Sequence, residues 1–511
     1  MNMNENLKKG NVVLNHEGAE AFRMSPEMEL YTAVVSCALE EMFYEGKQDR
    51  VKRIADLVGR VDPVFVAKLA VYTRREMNLR SIPMVLLVEL AKIHSGDNLV
   101  SKAVAAAVQR ADEIAELLMC YQWLNPSDGI KKLGKLSRGI QNGLKESFNR
   151  FDEYQFAKYD RSGQAVKLRD ALFLVHPKAK DAAQQALFDK IVAGTLETPY
   201  TWETELSALG QQAFETPEAR TAAVRAKWEE LLDSGKLGYM ALLRNLRNIL
   251  QAGVSPEHME RLCARLSDPD QVARSKQLPF RFLSAYREIR SVQSTYAAMV
   301  LSALEAAVKA SVVNMEGFDA NTNVLVAADV SGSMQRPVSA RSSVQNFDIG
   351  VLLSMLLKSK CASVVSGMFG DTWKVVNLPQ ESILANTLEM HRREGEVGYS
   401  TNGHKVIEWL IQNKVKMDKV MIFTDCQMWD SENTRGWSAD RGLRKAWLQY
   451  KEMFPEAKLY LFDLAGYGLS PLELTQADVY LIGGWSEKIF NILEAIDNGS
   501  SAIEEINKVV L

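Results

Sequence analysis

Oxygen-bearing side chains stand at alternating positions directly after a short apolar run, and this spacing is suited to metal chemistry. The run, residues 324–328 (VLVAA), carries no charge and predicts a buried parallel strand. Asp329, Ser331 and Ser333 follow it. Ligands gather at the carboxyl ends of strands in open α/β sheets, and one carboxylate with two hydroxyls suits Mg²⁺ or Mn²⁺. The alternative is a turn in which Asp and Ser cap a helix.

Residues 329–334, with the sequence DVSGSM, resemble the DxSxS metal-ion-dependent adhesion site (MIDAS) of von Willebrand factor A domains. That family also needs a Thr on a later loop and an Asp after a later strand. The positions that match are Thr401, in a glycine-containing loop, and Asp425, directly after the apolar run 420–424. The resemblance therefore implies that five residues hold Mg²⁺ or Mn²⁺. An aspartyl-phosphatase would need a second Asp where Ser331 stands.

The composition predicts a cytoplasmic globular protein of two or three domains. The chain has 511 residues, 47% of them hydrophobic and 24% charged, which is typical of globular proteins. Its apolar runs are too short to span a membrane, and its first residues lack the apolar core of a signal peptide. Five scattered cysteines without CxxC or CxxH spacing predict free thiols in a reducing cytosol. The net charge of −3 gives no global signature of nucleic-acid binding, so any such signal must be local.

Helical periodicity dominates the chain up to about residue 312. Residues 1–24 predict an irregular N-terminal arm, and Ser25 then caps a helix with Pro26 at its first position. Apolar residues at helical spacing predict further helices over 63–77, 82–94, 99–109, 111–124, 182–193, 217–232, 239–250, 257–266 and 294–312. So many helices in succession favour an α-solenoid.

Near Asn314 the pattern changes to short apolar runs that alternate with helical segments. The runs are 324–328, 362–369, 419–424, 458–464 and 479–482. This order predicts βαβ units around a mostly parallel, Rossmann-like sheet. The predicted domains are an arm (1–24), a helical domain (25–316) and an α/β domain (317–511).

Four segments of the helical domain and arm resemble signatures of the TROVE module, namely 15–19, 79–83, 237–248 and 278–282. A TROVE module followed directly by an A domain is similar to the Ro autoantigen family, including its bacterial members. The resemblance implies a monomeric, ring-like α-solenoid of HEAT-like repeats closed by a von Willebrand factor A domain. In that family the ring takes single-stranded RNA ends in its hole and a small structured non-coding (Y-like) RNA on its exterior. It implies a role in RNA quality control or decay, in some bacterial members beside an exoribonuclease.

A basic segment lies between Lys131 and Lys180, where twelve basic residues stand against five acidic ones. Aromatic residues at 148, 151, 154, 156 and 159 are interleaved with them, a composition that fits phosphate contact with base stacking. A solvated helix face is the alternative, and the resemblance favours RNA. The candidate RNA-binding residues are Lys135, Arg138, Lys145, Arg150, Lys158, Arg161, Lys167, Arg169 and His176.

His176 follows an apolar helical run, where a His more often caps or packs than binds a ligand. The resemblance implies that the equivalent helix end lies on the RNA-binding surface, although the functional His of the family can also be aligned with Leu168. Arg244, Arg247, Arg281 and Arg287 either bond neighbouring helices or face an RNA channel.

Catalysis is not predicted. The sequence has no GxSxG, HExxH or GxxxxGK[ST] motif, and its six histidines are widely spread. Hydrolytic metal centres usually gather several carboxylates or histidines, whereas hydroxyls dominate this candidate site. We therefore expect an RNA-binding protein without catalytic activity. The alternatives are a metal-dependent protein-binding adaptor without RNA and a metal-dependent nuclease.

Overall fold

The structure is a computed structural model, and it describes residues 12–16, 20–36, 47–126, 135–160, 163, 165–277, 279–314, 318–338, 342–361, 363–379, 381–428, 439–474, 476–484 and 489–511. No helix among these residues is long and apolar enough to cross a membrane.

Helices make up most of the first 310 residues and alternate with strands afterwards. They are α1 (Pro26–Val35), α2 (Lys47–Val58), α3 (Pro63–Arg75), α4 (Ser81–Ile93), α5 (Leu99–Ala107), α6 (Asp112–Leu124), α7 (Arg138–Phe148), α8 (Glu153–Tyr159), α9 (Leu168–Val175), α10 (Ala182–Ala193), α11 (Trp202–Gly210), α12 (Pro217–Asp233), α13 (Tyr239–Ala252), α14 (Pro256–Ser267), α15 (Pro269–Ser275), α16 (Pro279–Arg290), α17 (Ala297–Ala310), α18 (Asn346–Lys360), α19 (Ile383–Arg392), α20 (His404–Gln412), α21 (Ala439–Met453), α22 (Ile489–Asp497) and α23 (Ala502–Asn507). The strands are β1 (Val12–Leu14), β2 (Glu20–Arg23), β3 (Asn323–Asp329), β4 (Ser363–Phe369), β5 (Trp373–Val375), β6 (Lys419–Thr424), β7 (Lys458–Asp463), β8 (Leu469–Ser470) and β9 (Val479–Gly483).

The chain forms two compact units, each built from two stretches of sequence. The first unit consists of Met1–Lys47 and Gln212–Gly499, and the second of Gln48–Gln211 and Ser500–Leu511. The second unit is therefore the helical array α2–α11 together with the last helix, α23.

Side-chain caps and prolines begin many of the helices where the sequence predicts a start. The hydroxyl of Ser25 accepts a hydrogen bond from the backbone N–H of Met28, and the carboxylate of Asp62 accepts one from Val64. Each cap is followed by a proline, whose missing N–H costs nothing at that position.

Small residues let α5 and α7 of the second unit approach closely. A Cβ atom added to Gly139 or Gly143 would lie 2.7 or 2.5 Å from the Cβ of Val100 or Val104, respectively. The spacing of four residues puts both glycines on one face of α7. That face is buried against α5, so the basic residues of α7 must use the remaining surface.

A buried ion pair joins α3 to α6 within the second unit. An Nη of Arg74 lies 2.7 Å from a carboxylate oxygen of Glu113, whose side chain is fully buried. The second carboxylate oxygen accepts hydrogen bonds from the backbone N–H groups of Gln109 and Arg110. Both oxygens of this fully buried carboxylate therefore have hydrogen-bond partners, as a buried polar group requires.

The α/β part of the first unit is a six-stranded sheet with the order β5-β4-β3-β6-β7-β9. All neighbours pair in parallel except β5, which pairs antiparallel with β4 at one edge. Alternate side chains of β6 serve opposite faces. Val420 and Ile422 pack in one core with Trp447 of α21, whereas Phe423 lies against Gly350 of α18.

Polar contacts fasten the helices α16 and α17 to the α/β part within the same unit. The guanidinium of Arg287 donates two hydrogen bonds, of 2.7 and 2.6 Å, to the fully buried carboxylate of Asp348 on α18. The carboxylate of Glu305 on α17 accepts hydrogen bonds of 2.9–3.0 Å from the first three N–H groups of α19. A carboxylate at a helix N-terminus is favoured by the helix dipole.

The predicted fold class, a helical region followed by a mostly parallel α/β domain, is confirmed. The closed ring stays a prediction. The arm differs from the expected irregular chain, because β1 and β2 pair antiparallel and β2 continues onto β8 of the first unit.

Candidate metal site and candidate RNA-binding surface

The carboxyl ends of the central strands β3 and β6 place Asp329 next to Thr424. The two strands are parallel neighbours in which Ala328 is paired with Phe423. Asp329 is fully buried, and its carboxylate accepts hydrogen bonds from the Thr424 hydroxyl at 2.7 Å and from the Ser331 N–H at 2.8 Å. The sequence analysis missed Thr424, although its place beside Asp425 at the end of an apolar run was a usable signal.

Ser331 and Ser333 lie close together on the loop that leaves β3. Their hydroxyl oxygens are 3.2 Å apart, and both side chains are nearly buried. The alternation in sequence therefore brings two hydroxyls together beside the strand end that carries Asp329.

Thr401 and Asp425 come from two other loops and are joined through Gln427. The Thr401 hydroxyl donates to the carbonyl oxygen of Gln427 at 3.3 Å, and the N–H of Gln427 donates to the Asp425 carboxylate at 3.0 Å. Both candidate ligands are buried. Gln427 is a second residue of this site that the sequence analysis missed.

The loop that carries Thr401 is fixed by Asp371, which follows β4. The Asp371 carboxylate accepts the Ser400 N–H at 3.0 Å, and its carbonyl oxygen accepts the Asn402 side-chain amide at 3.0 Å. Gly398 has a φ of 73°, and a Cβ atom there would lie 2.1 Å from an Asp371 carboxylate oxygen. Only glycine fits this position.

Burial raises the pKa of Asp329 to about 7, with a further contribution from the negative charge of Asp425. The two carboxylates oppose each other's ionisation, and a cation would relieve that repulsion. Burial also raises the pKa of the neighbouring Cys426 thiol well above its ordinary value, so this thiol stays protonated.

The donor set fits a hard divalent cation. Carboxylate and hydroxyl oxygens are the ligands that Mg²⁺ and Mn²⁺ prefer. Among the described residues no group of three or more His, Cys, Asp or Glu side chains could hold a metal ion. A metal site here would therefore depend on the serine and threonine hydroxyls.

The described candidate RNA-binding residues all lie in the second unit, on α7, α8, α9 or beside them. We call the following set the basic surface: Lys135, Arg138, Lys145, Lys158, Lys167, Arg169 and His176. All are exposed except Lys145, which is half-buried. Arg161 lies outside the described residues, as do Lys131 and Lys132.

The basic surface is not neutralised by the acidic residues near it in sequence. Glu153 pairs with Lys190 at 2.7 Å instead. Asp152 and Asp170 accept backbone N–H groups at the starts of α8 and α9. Within the described part of the chain, we find no ion pair between a residue of the basic surface and an Asp or Glu.

Arg150 is set apart from this surface by its contacts. Its guanidinium donates to the carbonyl oxygen of Val108, and burial lowers its pKa. It thus ties the end of α7 to the segment after α5, which favours a structural role.

Three of the aromatic residues predicted to stack on bases belong to the core instead. Phe148, Phe151 and Phe156 are buried and pack on one another, with Phe188 of α10 against Phe148. Their rings are closed off from solvent, so base stacking by these three is ruled out. Sequence spacing alone did not separate them from exposed rings, because Phe148 ends α7, Phe151 lies between the helices, and α8 with Phe156 is only seven residues long.

Two other aromatic rings beside the basic surface are exposed to solvent. Tyr154 is 49% exposed with the Lys158 ammonium 5.7 Å from its centroid. Phe173, which the sequence analysis did not select, is 46% exposed with the Arg169 guanidinium at 5.6 Å. A cationic side chain next to an exposed aromatic ring can contact an RNA phosphate while the ring stacks on a base.

Hydrogen bonds bring α7 and the end of α9 together. The side-chain amide of Gln141 on α7 donates to the carbonyl oxygens of Leu174 and Val175. His176 ends α9 in the left-handed conformation, with a φ of 51°, and its side chain is exposed. Arg138 and Lys145 are three residues before and four residues after Gln141, so they share the face of α7 that meets the end of α9.

The four arginines that were expected either to bond neighbouring helices or to face an RNA channel differ in their contacts. Arg287 is structural, through Asp348. Arg247 pairs with Glu288 at 3.3 Å at the surface, and Arg244 and Arg281 are exposed. A role of these last two in an RNA channel stays a prediction.

Family comparisons cover nearly the whole chain. The TROVE domain model matches residues 27–194 and 171–301, together more than half of the chain, and the Ro60 vWA domain model matches 323–493. The chain belongs to the Ro family of TROVE proteins. The resemblance inferred from the sequence motifs is thereby confirmed.

Curated relatives within this family are distant in sequence. The chain is 22% identical to the RNA-binding protein RO60 of Deinococcus radiodurans over 95% of both chains. It is 22% identical to the RNA-binding protein RO60 of Caenorhabditis elegans, covering 60% of this chain and 47% of that protein. With telomerase protein component 1 of Mus musculus it shares 25% identity over 56% of its length, but it spans only 14% of that much longer protein.

The fold also matches a solved structure. The crystal structure of the Deinococcus radiodurans RO (RSR) protein aligns with a TM-score of 0.61 at 21% identity, covering 93% of this chain and 100% of that one. This likeness supports the fold.

Proposed function

We propose that this protein binds RNA without catalysing a reaction on it. A small structured non-coding, Y-like RNA binds the exterior of the helical domain, and single-stranded RNA ends enter the predicted monomeric ring. The protein acts in the cytoplasm, away from membranes, in non-coding RNA quality control or decay, with an exoribonuclease as a partner. The family and the names of its RNA-binding relatives support this function.

The observation that carries the proposal is the basic surface. Its lysines and arginines lie at the surface without acidic partners among the described residues, and exposed Tyr154 and Phe173 stand beside two of them. Phosphates attract such uncompensated cations, and each contact releases counterions from the RNA. If these residues served only to keep the protein soluble, we would expect basic and acidic side chains to be interspersed on this surface.

A charge-matched comparison tests the proposal. One variant replaces Arg138, Lys158, Lys167 and Arg169 with Ala. The control removes the same charge from four exposed positions on other helices, Lys52, Lys102, Arg220 and Lys309. Gel-shift titrations of hairpin and single-stranded RNA at several salt concentrations give the affinity and its salt dependence.

The first variant should bind RNA more weakly, and its salt slope should fall by about 0.7 per lost contact on single strands. The control should keep both close to wild type. Equal losses in the two variants would contradict a specific surface, and unchanged affinity in both would contradict RNA binding through these residues. Circular dichroism melting curves confirm that each variant is folded.

We also propose that Asp329, Ser331, Ser333, Thr401 and Asp425 hold Mg²⁺ or Mn²⁺. A cation bound there would act as a Lewis acid that binds a carboxylate of a partner protein. Asp329 and Asp425 would supply the negative charge once a cation binds, the hydroxyls add oxygens without adding charge, and burial limits competition by water.

This metal site supports the second candidate function, a protein-binding adaptor that carries no RNA. The ratio of absorbance at 260 and 280 nm of the purified protein separates the two functions, because bound RNA raises it. A metal-dependent nuclease is the third candidate. Labelled RNA that is cleaved with Mn²⁺ by the wild type, but not after Asp329→Ala, would establish it in place of the non-catalytic function.

A further inference from the structure

The N-terminal arm contributes a β-hairpin to the first unit, and this hairpin lies outside both matched family domains. β1 and β2 pair with Val12 opposite Phe22, and β2 pairs with β8 with Phe22 opposite Ser470. The family models begin at residues 27 and 323, so nothing in them assigns a role to this hairpin.

Asn15 and His16, which follow β1, lie against the loop after Asp425. The side-chain amide of Asn15 donates to the carbonyl oxygen of Met428 at 3.0 Å, and Asn15 is 8% exposed. The backbone N–H of His16 donates to the side-chain oxygen of Gln427 at 2.8 Å. Two adjacent residues of the arm thus hold two adjacent residues of the loop.

The His16 ring adds a contact on the other side. It lies edge-to-face with Tyr467, with centroids 5.3 Å apart, and Tyr467 is two residues before β8. The arm is therefore attached both to the strand it extends and to the loop beside the candidate metal site.

Gln427 connects the arm to two candidate ligands. Its backbone N–H donates to Asp425, its carbonyl oxygen accepts from Thr401, and its side-chain oxygen accepts from His16. The hydrogen bond from His16 also decides which way the amide is turned, which the side chain alone would leave open. A displacement of Gln427 would move Asp425 and Thr401 together.

We propose that the Asn15–His16 segment is a positioning element of the metal site. It holds Gln427 and Met428 so that Asp425 and Thr401 are arranged for a cation before one binds. The inference rests on the proposed metal site and extends it to residues that lie more than 400 positions before Gln427 and Met428 in sequence. The expected partner is the divalent cation itself, and Mn²⁺ alone serves as the probe.

Near-isosteric substitutions remove the two hydrogen bonds separately. Asn15→Leu deletes the amide donor, and Gln427→Met deletes the acceptor of the His16 N–H. Leu14→Ala is the control, since Leu14 is 50% exposed and adjacent to Asn15. Calorimetry measures Mn²⁺ affinity, and amide hydrogen exchange of residues 425–428 is followed in the metal-free protein.

Asn15→Leu and Gln427→Met should each weaken Mn²⁺ binding by roughly tenfold or more, the usual effect of losing an outer-shell partner. They should also speed exchange of the 425–428 amides in the metal-free protein, whereas Leu14→Ala should leave both unchanged. Affinity within about twofold of wild type in both variants would overturn the inference. A lower melting temperature without faster local exchange would also overturn it, because that describes a merely structural contact.

Asp329→Ala separates this inference from the metal site on which it rests. If Asp329→Ala abolishes Mn²⁺ binding but the arm variants do not weaken it, the metal site stands and the positioning role falls. If Asp329→Ala leaves Mn²⁺ binding intact, the metal site itself is wrong.

Discussion

At the scale of single residues, opposing influences act on the carboxyl group of Asp329. It is fully buried, it accepts hydrogen bonds from Ser331 and Thr424, and its pKa is nevertheless raised to about 7. Hydrogen bonds to a carboxylate normally lower its pKa, so burial and the charge of Asp425 outweigh them here. A divalent cation bound beside this carboxyl would favour its ionised form.

We expect Asp329→Asn to abolish Mg²⁺ and Mn²⁺ binding while RNA affinity changes by less than about tenfold, roughly 1.4 kcal/mol. The amide keeps the size of the carboxylate and one acceptor for the Ser331 N–H, but it removes the charge that attracts the cation. Calorimetry with each cation and gel shifts with RNA give the two readings. A folded Asp329→Asn protein that loses RNA binding would instead place RNA at the metal site.

Single residues also show where sequence reasoning succeeds and where it stops. The spacing of Asp329, Ser331 and Ser333 was sufficient to group them, because residues on one short loop cannot be far apart. The aromatic residues failed this test, since Phe148 is buried against Phe188 of α10, which lies 40 residues later in the sequence. Arg287 could not be assigned either, because its partner Asp348 is 61 residues away.

At the scale of elements, the ion pair between α16 and α18 should matter far more than a neighbouring one. Arg287→Met should lower the free energy of unfolding by about 3–5 kcal/mol, because it leaves the carboxylate of Asp348 buried without its partner. Arg247→Met, which breaks a pair whose side chains are 54% and 56% exposed, should cost about 0–1 kcal/mol. Urea denaturation midpoints of the two variants make the comparison, and equal midpoints would contradict the structural role of Arg287.

The end of α22 is fastened to the starts of two strands by Asp497. Its carboxylate accepts hydrogen bonds from Lys419 on β6 and from Lys458 and Tyr460 on β7. Burial acts to raise the pKa of Asp497, but the hydrogen bonds from the two lysines outweigh it and hold this pKa below its ordinary value.

A lowered pKa stabilises the fold above the unfolded-state value of about 3.9, and the stabilisation is lost as the pH falls through the folded-state pKa. Asp497→Asn should therefore lower the free energy of unfolding by about 1–3 kcal/mol at pH 7. Its difference from wild type should shrink between pH 5 and pH 3. Urea titrations at several pH values test this, with Asp270→Asn as the control because that carboxylate is 84% exposed. A difference that is constant with pH would refute the assignment.

Helices and long strands were predictable from local patterns, whereas short strands were not. The helix predicted over 182–193 has those bounds in the structure, because apolar spacing and length are properties of the segment itself. β1, β2 and β8 have three, four and two residues. Strands this short form only when they pair with another strand, and the partner of β2, β8, lies more than 440 residues later in the sequence.

At the scale of the whole molecule, the last helix belongs to the second unit although the A domain before it belongs to the first. α23 packs on α3, where Ile506 is fully buried and the Lys68 ammonium donates to the Asn507 carbonyl oxygen at 2.5 Å. The matched A-domain model ends at residue 493, so it does not include this helix.

Ending the chain after Gly499 should therefore speed amide exchange in α3 and leave β6 at wild-type protection. Loss of one buried aliphatic side chain costs about 2–5 kcal/mol, and here a whole helix is removed. Removing only residues 509–511 is the control, since Val510 is 82% exposed. Exchange measured by mass spectrometry reads both regions at once, and unchanged protection of α3 would refute the packing role of α23.

The pairing of β2 with β8 and the packing of α1 on β9 have a consequence for the order of synthesis. A ribosome synthesises the arm and α1 before their partner strands, which emerge only after about 430 further residues. At translation rates of about 5–20 residues per second, this interval lasts roughly 20–90 s. During it the apolar side of α1, including Leu30, Val34 and Val35, has no native cover. The nascent chain should therefore depend on chaperones until its A domain is complete, and pausing translation before residue 469 should leave α1 open to protease.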